Sequence, residues 1–265
     1  MRVHSESARI TWFGHSTAVL ELDGVRLVTD PVLRPRVAHL RRMTPPPPVV
    51  ADVDAVLISH VHYDHLDVPS LRQIRSVDRI IVPRGAGRLV RMRGFDRVEE
   101  IAVGDEVSCG SVLVRATPAA HGGWRPGVAR RTPALGFLVA GSASVYFAGD
   151  TGLFDGMRTL AGEIDIALLP VAGWGRRVPD DHLDPVRAAR ALRLLRPRYA
   201  VPIHWGTYRM AILARAPQVL PAPADEFRRL AASLAPEVEV VVLEPGTGLT
   251  VSRSAASSVP GDAGE

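Results

Sequence analysis

Hydrophobic positions along this chain come in short runs separated by turn residues. Many alternate with polar neighbours, which is the period of half-buried strands. Ile10 to Leu22 predicts a strand, a tight turn at Gly14 and a second strand. Asp23-Gly24 is a hairpin signal, and Val25 to Thr29 supplies the returning strand. Ala55 to Ser59 and Arg79 to Val82 read as further strands, with helix-like spacing between them from Pro69 to Arg75. Others are predicted at Val107, Val112 to Ala116, Leu135 to Ala140, Val145 to Ala148, Ile166 to Pro170, Tyr199 to Ile203 and Val238 to Leu243.

Two segments carry the helical period clearly. Pro185 to Leu195 is amphipathic, with Asp184 placed as its N-cap and proline at its first position. Asp225 to Leu234 is the second. Residues 31–50 hold Arg34, Arg36, Arg41, Arg42 and the run Pro45 to Pro48, which no helix or central strand tolerates, so this excursion is expected to be a surface loop. Small polar residues from 254 to 265 predict a disordered tail after a single domain over 1–253. Strands with interspersed helices favour a layered α/β sandwich over a doubly wound parallel sheet.

Composition alters this picture in few places. At 265 residues with 46% hydrophobic side chains, the chain can bury a sizeable core. The single cysteine, Cys109, excludes an internal disulfide and a cysteine-based metal cluster, and fits a cytoplasmic setting. Neither a secretory leader nor a membrane span is expected. The net charge of +4 comes from arginine alone, since lysine and asparagine are absent, and this bias resembles a high-GC coding background. The arginines are scattered rather than gathered in a stripe, so nucleic-acid binding is not favoured. Membrane contact through the 31–50 excursion is disfavoured for want of a large apolar face.

The chemistry concentrates directly after the strand at Ala55 to Ser59. His60 and His62 alternate in an extended stretch and can point to one side, while Asp64 and His65 follow where the chain turns toward a second locus. Imidazoles with carboxylates suit zinc, manganese or iron, with positions left open for water. A solvated polar loop is the alternative, and this density of His and Asp behind a buried strand argues against it.

The His-x-His-x-Asp-His pattern resembles the signature of the metallo-β-lactamase superfamily, and later segments continue the resemblance in order. His121, in Ala-Ala-His-Gly-Gly, is similar to the third histidine of the first metal site. Asp150, in Gly-Asp-Thr-Gly, resembles the bridging carboxylate, and His204, in Ile-His-Trp-Gly-Thr, the last histidine of the second site. Asp30, in Thr-Asp-Pro, resembles the aspartate that supports the histidine loop. The flanking words are similar to the branch containing L-ascorbate-6-phosphate lactonase and N-acylphosphatidylethanolamine phospholipase D. The resemblance covers roughly residues 10–206 and implies an αββα four-layer sandwich with two divalent ions at one edge. His60, His62 and His121 would hold one ion; Asp64, His65 and His204 would hold the other; Asp150 would bridge. Zinc is the expected metal, with manganese or iron as alternatives.

Two such ions would activate a shared water as hydroxide, with Asp64 central to the catalytic set, and polarise a scissile carbonyl or phosphoryl oxygen. Asp67 has two readings, support for a ligand imidazole or a helix N-cap before Pro69. His182 reads either as a general acid or substrate contact, as the resemblance implies, or as a solvated loop histidine. His15 is expected beside the site or hydrogen-bonded under the metal loop. Trp124, Arg125, Trp174 and Arg176 stand in loops that follow the site strands and are candidate substrate contacts.

The expected activity is hydrolysis of a small anionic ester, lactone or phosphodiester. A nuclease or a non-catalytic metal-binding protein are the alternatives. The expected partner is that small molecule, and homo-oligomer formation is left open.

Overall fold

The computed structural model describes residues 7–125, 132–173, 178–213 and 222–252. The N-terminal half forms β1 (Ser7–Gly14), β2 (Thr17–Leu22), β3 (Val25–Thr29), β4 (Arg36–Val37), β5 (Leu40–Arg42), β6 (Ala55–Leu57), α1 (Val68–Leu71), β7 (Ile80–Pro83), α2 (Gly87–Arg91) and β8 (Val98–Ile101). The C-terminal half forms β9 (Glu106–Cys109), β10 (Val112–Gly123), β11 (Thr132–Ala140), β12 (Ser144–Phe147), β13 (Ile166–Pro170), α3 (Pro185–Leu195), β14 (Tyr199–Ile203), β15 (Tyr208–Met210), α4 (Pro223–Leu234), β16 (Glu239–Val240) and β17 (Gly248–Ser252).

Two seven-stranded sheets result, in the orders β17-β1-β2-β3-β6-β7-β8 and β16-β14-β13-β12-β11-β10-β9. Their inner faces share one apolar core. Ile10, Trp12, Leu20 and Leu27 of the first sheet meet Val114, Phe137, Phe147 and Leu168 of the second. The outer faces are covered separately. α3, α4 and the 3-10 turn at Asp155–Leu160 pack over Tyr146, Ala167 and Leu169. Leu71 of α1 and Val90 of α2 pack over Val28, Val56 and Ile80. Helices, sheet, sheet, helices is the αββα sandwich.

Within each sheet the strands β3–β6–β7 and β12–β13–β14 run parallel, so several of their carboxyl ends converge on one rim. That rim is where the residues singled out by their chemistry emerge: Asp30 after β3, His60 after β6, Asp150 after β12 and His204 after β14.

The excursion over 31–50 is not simply a loop. β4 and β5 form a hairpin there and add β15 on the other side to make a third, three-stranded sheet. Arg42 is buried in it because the Phe13 and Val32 carbonyls and the Tyr208 hydroxyl take up its guanidinium. The four prolines lie outside regular structure, as their chemistry requires. α1 is also shorter than its spacing suggests. After Leu71 the amides of Gln73 and Ile74 reach back only three residues, so the regular helix closes into turns. Among the described residues no helix is long and apolar enough to cross a membrane.

Candidate metal centre

The segment from Ser59 to Asp67 leaves the buried strand β6 and turns at the rim of the sandwich. Its backbone closes on itself where the amides of His65 and Leu66 donate to the His62 carbonyl, 3.1 and 2.8 Å away. His60 and His62 face each other, with His60 Nε2 and His62 Nδ1 separated by 2.9 Å. His121, near the end of β10 in the opposite sheet, brings its Nε2 to 3.2 Å from the same nitrogen of His62. One nitrogen from each of the three rings lies within 4.8 Å of the others.

A second cluster stands beside the first, since the rings of His60 and His65 are 4.1 Å apart. It joins His15, Asp64, His65 and His204. Asp64 Oδ2 lies 3.2 Å from His15 Nε2 and 3.8 Å from Nε2 of both His65 and His204. Asp150 faces this group, its carboxylate 3.2 Å from His65 Nε2 and 3.4 Å from His204 Nε2. His182 approaches from the far side, with its Nε2 3.4 Å from Asp150 Oδ2.

Most of these rings have one nitrogen tied to the protein and the other aimed into the centre. His65 Nδ1 donates to Asp30 at 2.7 Å, and His60 Nδ1 lies 3.0 Å from the Ser59 hydroxyl, which itself donates to Asp30 at 2.5 Å. His204 Nδ1 donates to the Ala172 carbonyl, and His121 Nδ1 to the Asp181 carbonyl, both at 3.0 Å. Fixing the outer nitrogen sets the ring orientation and turns the inner nitrogen toward the centre, where a cation could take it as a ligand. Asp30 thus lies under both clusters at once, reaching His65 directly and His60 through Ser59.

The electrostatics agree with a cation site. Burial, then the neighbouring imidazoles, push His60, His62 and His121 below the usual histidine range, which favours their neutral form. Burial opposes ionisation of Asp64 and Asp150, yet the histidines around them outweigh it and hold both carboxylates well below their usual range. His15 is pushed down to about 4 by burial and by His204. Burial also disfavours charge on His65, but Asp150, Asp64 and Asp30 reverse this and raise it. Three imidazoles held toward neutrality beside two carboxylates held ionised suit a divalent transition metal, and the positive charge that these carboxylates draw onto His65 is one that a bound cation would supply instead. His65 Nε2 and Asp150 Oδ1 are buried and complete no hydrogen bond among the described residues, which a coordinated ion would remedy.

Backbone conformation is unusual at the rim. His15, Asp30 and His204 all adopt left-handed φ values, of 52°, 32° and 61°. The His204 amide donates to the His15 carbonyl at 2.9 Å, locking two of these turns together. Gly149 precedes Asp150 at φ 60°, where a Cβ would lie 2.7 Å from Ser59 Cβ and 2.9 Å from the Leu135 carbonyl. Only glycine lets the Asp150 turn pass this close to the histidine segment.

Of the two readings of Asp67, the helix cap holds and the support of an imidazole is corrected: its carboxylate caps α1 through the Ser70 amide and hydroxyl, and forms a two-pronged pair with Arg34 at 2.6 and 2.7 Å. It still fastens the end of the histidine segment to the 31–50 excursion. Arg125 is not positioned as a substrate contact. It is buried, donates to the Leu66 carbonyl at 2.9 Å and lies 3.8 Å over the Tyr63 ring. Trp124 beside it is 54% exposed and available to a ligand. Trp174 and Arg176 lie outside the described residues, as does the tail from 254 to 265.

Three site features were missed in the sequence. Ser59 and the Ala172 carbonyl matter through position alone. Asp181 could have been suspected from its neighbour, since it lies 3.0 Å from His182 Nδ1 and its carboxylate also reaches His121 Nδ1 at 3.2 Å. Arg187 of α3 braces this loop by donating to the carbonyls of Pro179 and His182 at 2.6 and 2.7 Å.

Known proteins resemble this chain in sequence and fold. A β-lactamase superfamily domain matches residues 25–205. A metal-dependent hydrolase from Methanopyrus kandleri is 35% identical over 248 residues, covering 90% of this chain and 97% of the relative. The N-acyl-phosphatidylethanolamine-hydrolyzing phospholipase D 1 of Caenorhabditis elegans is 33% identical over 237 residues, covering 78% of this chain and 66% of the relative. A solved metallo hydrolase from Ignicoccus hospitalis superposes with a TM-score of 0.67 at 26% identity, covering 92% of this chain and 98% of the other. The chain belongs to the metallo-β-lactamase superfamily. Within it, the protein is a metal-dependent hydrolase.

Proposed function

We propose that this protein is a two-metal hydrolase of small anionic esters, lactones or phosphodiesters. His60, His62 and His121 would hold one divalent ion and Asp64, His65 and His204 the other, with Asp150 shared. The observation that carries this reading is the pair of adjacent clusters whose imidazoles are fixed from outside and open toward the centre. Nitrogen and oxygen donors without sulfur suit zinc, and also manganese or iron. When bound, two such ions supply Lewis acidity toward the substrate oxygen and acidify a water for attack.

The chain's own residues do the rest. Asp30 and Ser59 orient His60 and His65, and His15 holds the Asp64 carboxylate. Burial disfavours charge on His182, but Asp150 and Asp181 overcome it and raise its pKa, so a proton can be held at His182 Nε2 and passed to a leaving group. Two dications against the carboxylates of Asp64 and Asp150 leave the loaded site positive, which selects an anionic substrate. The nearby arginines add less than their number suggests, since Arg34, Arg42 and Arg125 are engaged by the protein itself. The phospholipase D relative, whose name denotes phosphodiester cleavage, supports including phosphodiesters in the substrate class.

The test is metal analysis of protein purified without chelator, joined to a panel of a lactone, an aryl ester and bis(p-nitrophenyl) phosphate. About two ions per chain and turnover of at least one probe, lost in Asp64→Ala, are expected. A folded protein without bound metal, or a metal-loaded one inert to the whole panel, would sink the reading.

A further inference from the structure

The small sheet β4–β5–β15 has two unlike faces. Its inner face carries Val37, Leu40, Arg42 and Tyr208, and Tyr208 packs edge-on to His15 with ring centroids 5.6 Å apart. Its outer face carries an arginine in register on every strand, with Arg36 opposite Arg41 and Arg41 opposite Arg209. Like charges set directly across a sheet repel, with Cβ atoms only about 5 Å apart, so such a row is not kept for stability. Neither Arg36 nor Arg41 forms an ion pair with a described residue. The described segments that build this face, 31–50 and 205–213, contain no aspartate or glutamate.

Aliphatic side chains flank the row at both ends. Met43, two residues beyond Arg41, is 42% exposed. At the other end the 3-10 turn Ala211–Leu213 is bonded to the hairpin through the Ala211 amide and the His39 carbonyl at 2.8 Å. Ile212 and Leu213 project from it, 86% and 50% exposed. The sequence kept these residues far from the arginine excursion; β15 brings them beside it.

We propose that this face docks the enzyme on an anionic lipid surface, the arginines meeting phosphate headgroups while Ile212, Leu213 and Met43 enter the acyl boundary. Charge complementarity calls for a polyanion, and the flanking residues decide which kind. Single-stranded nucleic acids are read with aromatic platforms for base stacking, whereas lipid interfaces accept aliphatic side chains beside a basic row.

Sedimentation with sucrose-loaded vesicles tests this directly. Binding is expected to vesicles of phosphatidylcholine with phosphatidylglycerol, not to phosphatidylcholine alone, and to weaken as salt is raised. The double variant Arg36→Glu, Arg41→Glu should lower the partition coefficient by about 25-fold or more, at about five-fold for each arginine. Ile212→Asp should lower it as well, with metal content and thermal midpoint unchanged in both variants. Absence of wild-type binding to anionic vesicles would overturn the proposal, as would undiminished binding by the double variant. Retention of a single-stranded oligonucleotide through the same arginines, without vesicle binding, would assign the face to nucleic acid and equally overturn it.

Discussion

Asp30 illustrates how one side chain can govern a site it does not enter. Its carboxylate accepts from the Ser59 amide and hydroxyl and from His65 Nδ1, all buried. Asp30→Ala would leave these donors without a partner and free two imidazoles to rotate. Metal affinity should fall by about 10–100-fold, the usual effect of losing such support; competition with a chromophoric chelator measures it, and unchanged affinity would refute the role. His182→Ala should behave differently. Metal content stays at the wild-type level while turnover drops by roughly 10²–10⁴, most for substrates with poor leaving groups. A loss independent of leaving group would exclude proton donation. Gly149→Ala forces a Cβ against Ser59 and the Leu135 carbonyl in a left-handed conformation, and should cost about 1–3 kcal/mol of stability. Thermal unfolding gives that value.

At this scale legibility followed chemistry. His60, His62, Asp64 and His65 announce themselves because few uses other than metal binding bring such residues together behind a buried strand. Ser59 and the Ala172 carbonyl are invisible in sequence, because they act through where the backbone puts them. Arg125 was misread for a related reason. A guanidinium reaches a ligand or a carbonyl equally well, and burial under Tyr63 decides between them.

Elements with a complete local signal were legible to the residue. α3 begins at Pro185 with Asp184 as its cap, accepting from the Arg187 amide at 2.7 Å, because capping side chain, proline and apolar stripe all agree. Asp184→Ala should destabilise the protein by about 1 kcal/mol, seen as a lower denaturant midpoint at unchanged slope. β13 and β14 were equally clear as continuous apolar runs. Elements defined by partners were not. β17 exists through its register with β1, and β4, β5 and β15 through one another, so short stretches of mixed polarity gave no warning. β10 runs past Ala116 to Gly123, across Pro118, where the ladder to β11 shifts register. That irregularity carries His121 to the rim.

For the whole molecule, the layered architecture followed from strand content, and its four-layer form from the resemblance of the metal motif. The closing partners at the sheet edges came only from tertiary pairing. Removing bound metal with a chelator should lower the thermal midpoint without unfolding the protein at room temperature. At free metal about 100-fold above Kd, binding contributes about 2.7 kcal/mol, and a domain of this size moves about 2–4 °C per kcal/mol. A drop of about 5–10 °C is therefore expected in calorimetry, restored by adding zinc; an unchanged midpoint would show that no ion is held by the folded state.

His60 and His62 leave one sheet, whereas His121 belongs to the other. In mechanical terms an ion held by the three would be a rivet through both leaves of the sandwich, set at its edge. Thermal breathing of the two sheets would then become a change in ligand spacing, so loosening of the sandwich would reach the centre before the protein unfolds.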